Sequence, residues 1–438
     1  MRALLLIVLL ALAAGCASPG NNNATTSTPS GTTTTPTVTT PTSPTSTPPA
    51  DCAPQPQAPC ATFTTSLGNF TATLYADKAP LSVANFLQDA QDGLYDNTVF
   101  HRVVKGFVIQ GGGFAAPFNA SARPRTQSDG PIPTEIWSGN HHAEGTLGMA
   151  RTQDPNSGTN QWFVNTADNG RALDSGYTVF GNVTSGLDVV HAIENVTVAT
   201  KGQYQSVPTT DVVIQSVRVA VAPAPAKPEL KAYHATLDVA PGGEASTPLF
   251  VRNAGGDRLN VSLVGSAENG ATVDFPRVPG LLSSGQAGVA ILHVKTPDGY
   301  TGGGLDVTAT GPGGNATVHL ELKPLNVTGN ASGPDHGAVQ TYYLGLFDNG
   351  VTFDTTMTNL QGQGFPMPAG FQQHPQALKV WVGAGSPMSG YTPVIPGFAS
   401  GIVGLHAGET RTVRLTSDEG YKDGYFRLFE MTVKSVDS

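Results

Sequence analysis

The sequence predicts a mainly β, helix-poor chain built of several domains. Three observations carry that reading. The chain has 438 residues, room for about three domains at roughly 150 residues each. It holds 52 Gly and 34 Pro, so turns are frequent and long helices few. Its apolar residues fall in short alternating runs, the period of half-buried strands. Charged residues make up only 13% and the net charge is −9, with no cluster of Lys and Arg. That balance argues against nucleic acid as a partner, because phosphate binding needs concentrated positive charge. The apolar run Leu4–Leu12 falls well short of the ~20 residues a spanning helix needs, which argues against a polytopic membrane protein.

Met1-Arg2 followed by Ala3–Ala14 reads as a signal peptide over residues 1–15. Leu12-Ala13-Ala14-Gly15-Cys16 resembles a bacterial or archaeal lipobox. That resemblance implies a lipid on Cys16 and a chain tethered to the membrane on its periplasmic or cell-surface side. The plainer alternative is an ordinary cleaved signal. Residues 16–58 are then a stalk, since Ala17–Ala50 is almost wholly Ser, Thr, Pro, Asn and Gly. Such a segment has too little apolar surface to offset ordering entropy. Cys52 and Cys60 either pair as a short-loop disulfide in an oxidising compartment or remain free thiols.

The first domain is expected over residues 59–222. Ala61–Leu74 alternates around Gly68-Asn69 and reads as a β-hairpin. Ser82 is placed to cap a helix with Val83, Phe86, Leu87 and Ala90 on one face, and Gly93 to end it. A second short helix is expected near Leu187–Ile193. Many strands with two helices suggest a closed β-barrel with helices over its ends.

Within this domain, Phe100-His101-Arg102-Val103-Val104-Lys105-Gly106-Phe107-Val108-Ile109-Gln110-Gly111-Gly112-Gly113-Phe114 resembles the signature of the cyclophilins, a family of peptidyl-prolyl cis–trans isomerases. Gly145–Thr152, Asn160–Asn165 and Gly176–Gly181 extend the resemblance in order, most closely to the bacterial periplasmic type. The resemblance implies a cyclophilin-like barrel and an enzyme that speeds X–Pro rotation with no cofactor and no metal. It assigns Arg102, His101, Gln110 and Gln161 to catalysis. Phe107, Val108, Ala150, Arg151, Thr152, Phe163, Leu173 and Tyr177 would bind substrate. The chemistry is coherent: rotation faces a barrier near ~20 kcal/mol because resonance holds the amide planar, and a guanidinium can donate to the prolyl nitrogen once that resonance is lost. Ala172 stands where cyclosporin-sensitive members carry Trp, so weak cyclosporin binding is expected.

Ala222–Lys227 reads as a stiff Pro/Ala hinge. Beyond it, residues 229–325 show β-type runs at His234–Val239, Leu249–Arg252, Leu259–Val264, Gly288–Val294, Leu305–Ala309 and Thr317–Leu322. Without a helical pattern, they read as an immunoglobulin-like β-sandwich serving as a spacer.

Residues 333–438 form a third domain. Gln340–Thr355 alternates strongly about an Asn349-Gly350 turn. With Leu378–Gly383, Val394–Phe398, Gly404–Glu409, Ser417–Tyr421 and Leu428–Val433, it resembles the FKBP family, a second class of prolyl isomerase. This implies an FKBP-like α+β half-barrel with a pocket of Tyr343, Phe353, Asp354, Val394, Ile395, Phe398, Tyr421 and Phe429. The flap between Tyr421 and Phe429 is shorter than usual for that family.

His141-His142-Ala143-Glu144 contains metal-ligand residue types but reads as an exposed Gly-flanked loop. The sequence is therefore read as a monomeric, membrane-tethered prolyl isomerase. Its partners would be unfolded or proline-containing polypeptides, and it would touch the membrane through the lipid only. The alternative is a non-catalytic peptide-binding chaperone or cell-surface interaction protein on the same scaffolds.

Overall fold

Alternation in the first domain produces the hairpin the sequence predicts, and a long sheet grows from it. In the computed structural model the described residues run from 52 to 437, except 56–57, 123, 125–128, 327–336, 358–359, 361–362, 369–370, 372, 383–389 and 422–424. The expected signal segment, Cys16 and the Ser/Thr/Pro-rich stretch to residue 50 lie outside the described residues. Strands β1 (Cys60–Thr65) and β2 (Gly68–Leu74) pair across a Ser66-Leu67 turn, so Gly68 opens the second strand instead of forming the turn. Helix α1 (Pro80–Gln91) buries Val83, Phe86, Leu87 and Ala90, and Gly93 follows its end at φ +73°. Its amino end differs from expectation. Ser82 is no cap; its hydroxyl and amide both donate to the Glu135 carboxylate (2.8 Å each), which also accepts from the Leu81 amide at 3.0 Å. A distant carboxylate thus satisfies the helix's orphan donors.

Eight further strands follow to residue 208: β3 (Thr98–Val99), β4 (Arg102–Val104), β5 (Val108–Gly111), β6 (Thr146–Met149), β7 (Trp162–Asn165), β8 (Val179–Ser185), and β9 (Val198–Lys201) with β10 (Tyr204–Pro208) as a separate two-stranded ribbon. β11 (Val213–Ala220) returns to pair with β1. The sheet runs β3-β11-β1-β2-β8-β6-β7-β5-β4. Expected as closed, it has two ends, β3 and β4, joined through Phe100-His101, so the chain itself bridges the gap. Helix α3 (Leu187–Glu194) matches the second expected helix, and a single turn, α2 (Gly170–Leu173), is additional. Phe63, Phe70, Phe86 and Trp162 fill the interior, with Phe63 stacked on Phe70 at 4.4 Å and edge-on to Trp162 at 4.9 Å. Cys52 and Cys60 are joined in a disulfide packed on Ala220.

The middle segment forms two four-stranded sheets, β12 (Pro228–Ala232), β14 (Glu244–Asn253), β17 (Ala287–Lys295) and β16 (Thr272–Arg277) against β13 (Thr236–Val239), β19 (Gly314–Pro324), β18 (Gly303–Gly311) and β15 (Ser262–Ala267). Leu249, Leu292, Leu305 and Leu320 meet between them. The 222–227 segment, expected as an extended hinge, lies down on this pair. Ala226 is buried in its core, and the Ala224 carbonyl accepts from the Gly256 and Asp257 amides at 3.0 and 2.8 Å.

The last segment contains β20 (Gly337–Phe347), β21 (Thr352–Thr355), β22 (Leu378–Val382), β23 (Thr392–Pro393), β24 (Thr410–Leu415) and β25 (Arg427–Asp437) in one sheet. Helix α4 (Pro396–Ile402) packs Phe398 and Ile402 onto its face. All three assemblies touch one another. The Ser283 amide donates to Gln88 Oε1 (2.9 Å), and the Thr412 amide donates to Ser246 Oγ (2.7 Å). Arg277 and Arg414 converge on Asp348 at 2.9 and 2.6 Å. Asn349, at the turn after β20, donates its amide to the Asp129 carbonyl (2.9 Å) and its side chain to the Gly130 carbonyl (3.1 Å).

Candidate active site

Strand register assembles the site. Arg102 lies opposite Gln110, Gln110 opposite Phe163, and Phe163 opposite Gly148. Directly opposed residues share a face, so three neighbouring strands present Arg102, Gln110 and Phe163 in one row, with Gly148 of a fourth beside them. Gly148 has a steric reason: a Cβ there would come within 2.2 Å of the Phe163 ring. Val108, Ala150, Phe163 and Leu173 form one buried apolar cluster, flanked by Phe107 and Tyr177. Helix α2 delivers Leu173, and the Tyr177 ring stands edge-on to Phe163 at 6.1 Å.

The polar side is equally ordered. Gln110 Nε2 donates to Gln161 Oε1 at 3.0 Å. Gly113 leaves room for Gln161, whose side chain would lie 2.7 Å from a Cβ at that position. Arg102 Cζ stands 5.8 Å from the Phe107 ring centre, and burial lowers the pKa of its guanidinium. His101 is buried against Phe114, with ring centres 4.8 Å apart. Burial first, and the adjacent Arg102 charge second, push its pKa down to about 4, against hydrogen bonds that the ring donates to the Val99 backbone and the Gln161 side chain, which raise it. At neutral pH one cation, Arg102, therefore faces the apolar cluster from this pair. Arg151 donates to the Gly176 carbonyl (2.7 Å) and lies 4.4 Å above the Tyr177 ring. The Thr152 amide is already bonded to Ser157 Oγ at 2.9 Å.

These contacts bring Arg102, Phe107, Val108, Gln110, Ala150, Gln161, Phe163, Leu173 and Tyr177 together, with Arg151 over Tyr177, whereas Thr152 bonds within its own loop and His101 packs on Phe114. Ala172 sits exposed on α2. Sequence reasoning missed the buried polar layer beneath: Asn140, His142, Asn165 and Asn169. His142, expected on an exposed loop, is instead fully buried. Only the side-chain partners, distant in sequence, reveal that layer.

The family described as Cyclophilin type peptidyl-prolyl cis-trans isomerase/CLD matches residues 60–219. Peptidyl-prolyl cis-trans isomerase B of Escherichia coli (strain K12) is 44% identical over 165 residues, covering 36% of this chain and 98% of that protein. The chain belongs to the cyclophilin-type peptidyl-prolyl isomerases. Two more relatives agree: a peptidyl-prolyl cis-trans isomerase of Acinetobacter baylyi (strain ATCC 33305 / BD413 / ADP1), 43% identical over 159 residues, covering 35% of this chain and 82% of that protein, and peptidyl-prolyl cis-trans isomerase A of Dickeya dadantii (strain 3937), 41% identical over 160 residues, covering 36% and 82%. The cyclophilin-type domain makes this chain a peptidyl-prolyl cis–trans isomerase, and residues beyond 219 lie outside the family match.

A second aromatic cluster lies in the last segment. Phe398 is edge-on to both Tyr343 (5.9 Å) and Phe429 (5.2 Å), and Phe353 meets Phe429 at 5.5 Å. Val394 and Ile395 pack on the same group. Burial, then a hydrogen bond to Asp354, raises the pKa of the Tyr343 phenol. Tyr421 departs from the rest: it is 54% exposed, with Arg427 4.5 Å from its ring centre. Residues 422–424 of the expected short flap lie outside the described residues.

Proposed function

We propose that catalysis by this isomerase runs through Arg102, with the proline ring held by Phe107, Val108, Phe163 and Leu173. The row of Arg102, Gln110 and Phe163 across adjacent strands carries this reading. A ring seated on Phe163 brings its nitrogen toward the guanidinium two strands away. As the amide twists, the nitrogen regains a lone pair, and Arg102 donates a hydrogen bond that the planar ground state cannot accept. Because that interaction exists only in the transition state, it accelerates the reaction and adds little to substrate affinity. Gln110, held by Gln161, is placed to bind a flanking peptide group. Arg102→Ala is expected to lower kcat/KM for a proline peptide about a hundredfold with the fold retained. Near wild-type turnover in that variant sinks the mechanism.

The wider reading is an extracytoplasmic folding factor. It has a cyclophilin-type domain at 59–222, an immunoglobulin-like sandwich at 229–325 and an FKBP-like domain at 333–438, acting as a monomer tethered through a lipid on Cys16. The Cys52–Cys60 disulfide supports the oxidising compartment. The aromatic cluster of Tyr343, Phe353, Phe398 and Phe429 supports a second proline-binding surface, with Asp354, Val394 and Ile395 at its edge and Tyr421 at its exposed rim. Two weak sites on one chain raise the effective concentration of an unfolded client. Mass spectrometry of the membrane fraction tests the tether: an unmodified Cys16 on the mature chain rules it out.

A further inference from the structure

The two adjacent histidines of the 141–144 segment occupy opposite environments. His141 lies at the surface, its ring nitrogens 3.5 Å from Asp168 and 2.9 Å from Asp174. His142 is 0% exposed and lies directly behind the apolar cluster of the active site. Its ring stacks on Phe163, with centres 5.6 Å apart and planes 21° apart. Its Nε2 is 3.0 Å from the Tyr177 carbonyl, and its Nδ1 is 3.1 Å from Asn165 Nδ2.

These contacts assign the tautomer. A carbonyl only accepts, so Nε2 carries the hydrogen. The Asn165 amide is oriented independently: its oxygen accepts from Asn169 Nδ2 at 2.8 Å, and its nitrogen also faces the Thr146 carbonyl at 3.1 Å. That nitrogen only donates, so Nδ1 of His142 is the bare acceptor. Asn169 carries the chain further, donating to the Phe107 carbonyl at 2.7 Å. The His142 backbone is fixed as well, its amide on Asp174 Oδ1 (2.7 Å) and its carbonyl accepting from the Asn169 amide (2.8 Å). One imidazole therefore reaches three walls of the cleft: Phe163 by stacking, Tyr177 by a hydrogen bond, and Phe107 through Asn165 and Asn169.

We propose that His142 is a positioning residue for the isomerase reaction, holding the Phe163 and Tyr177 walls in place as a neutral Nε2–H imidazole and thereby setting affinity for the proline ring. The proposal rests on the reading of that cleft as the proline site. Arg102 sits on β4, two strands from Phe163, so the donor to the twisted nitrogen is untouched by changes at His142. The effect therefore falls on binding and spares the chemical step. A histidine that merely fills space would lower stability without separating the two constants.

The test uses the full chain and a proline-containing peptide, with KM and kcat measured separately. His142→Gln keeps an N–H donor near the Nε2 position, whereas His142→Asn is too short to reach Tyr177. We expect His142→Asn to raise KM about tenfold with kcat within about twofold, and His142→Gln to restore KM to within about threefold. Nitrogen-15 histidine spectra should show His142 as the neutral Nε2–H form at pH 7. Phe163→Ala serves as the control on the cleft. If it raises KM while both His142 variants leave KM unchanged, the positioning role falls and the proline site stands. If Phe163→Ala itself leaves KM unchanged, both fall together. A protonated or Nδ1–H His142 also overturns the proposal, and that spectrum needs no variant to fold.

Discussion

His101 makes the stability of the isomerase domain depend on acid in a calculable way. Burial and Arg102 hold its folded pKa at about 4, whereas its ordinary value is 6.5. The unfolded chain therefore binds a proton on this side chain across the interval where the folded chain does not. Stability contributed by the neutral imidazole is present above about pH 6.5 and is lost as pH falls toward 4. At about 1.4 kcal/mol per pKa unit, the full loss is roughly 3 kcal/mol, of which roughly 2 kcal/mol is gone by pH 5. His142, whose pKa burial also lowers, adds a loss of the same sign. The assay compares urea unfolding of the wild type and His101→Gln at pH 7.5 and pH 5, so that all other titrating groups cancel in the difference. His101→Gln should flatten the pH dependence by about 2 kcal/mol. Histidine NMR titration provides the direct check. A His101 pKa at or above 6.5, or a pH dependence unchanged by His101→Gln, refutes the reasoning.

Two further predictions concern the rest of the chain. Asn349→Ala removes side-chain donors to the Gly130 and Pro131 carbonyls; at about 1 kcal/mol per hydrogen bond, the amides of Asp129, Gly130 and Ile132 should exchange their hydrogens at least several-fold faster, and unchanged exchange shows the contact contributes nothing. Phe398→Leu keeps apolar volume in the second aromatic cluster but removes a ring, so on the proposal that this cluster is a second proline-binding surface, capture of proline-containing unfolded chains by the last segment should weaken with the near-ultraviolet dichroism of the fold retained. Capture at wild-type strength rules out an aromatic floor there.

The site was legible where neighbouring residues in sequence carry it. His101, Arg102, Phe107, Val108 and Gln110 lie within one short stretch, and pairing of β4 with β5 turns that stretch into a surface. The hairpin, the apolar face of α1 and the Gly93 stop were legible for the same local reason. What escaped depends on partners far apart in the chain. Glu135 caps α1 from 53 residues away, and nothing in the spacing around Ser82 shows that a carboxylate arrives there. His142 looked like an exposed polar residue because burial of a histidine is decided by Asn165 and Tyr177, not by its neighbours. Ala222–Lys227 has the composition of a free linker, yet backbone carbonyls that accept hydrogen bonds leave no mark on composition. Asn349-Gly350 was read correctly as a turn, but its docking on Asp129 and Gly130 is a property of shape, fixed only once both surfaces exist.

The pairing of first strand with last has a mechanical consequence. Cys60 lies opposite Ala220 at the end of the β1–β11 ladder, and the Cys52–Cys60 disulfide closes onto the same corner. Tension between the chain before and the chain after the isomerase domain enters and leaves at that one rung. An antiparallel pair pulled from a single end unzips, its hydrogen bonds breaking one after another, whereas a pair pulled from opposite ends must break them together. Stretching the molecule therefore peels β1 from β11, beginning at Cys60. The strands bearing Gln110 and Phe163 lie farther along the sheet order, whereas Arg102 follows closely on β3, which pairs with β11. The domain carries a seam that yields under force, and the strand that leads into Arg102 is paired along one side of it.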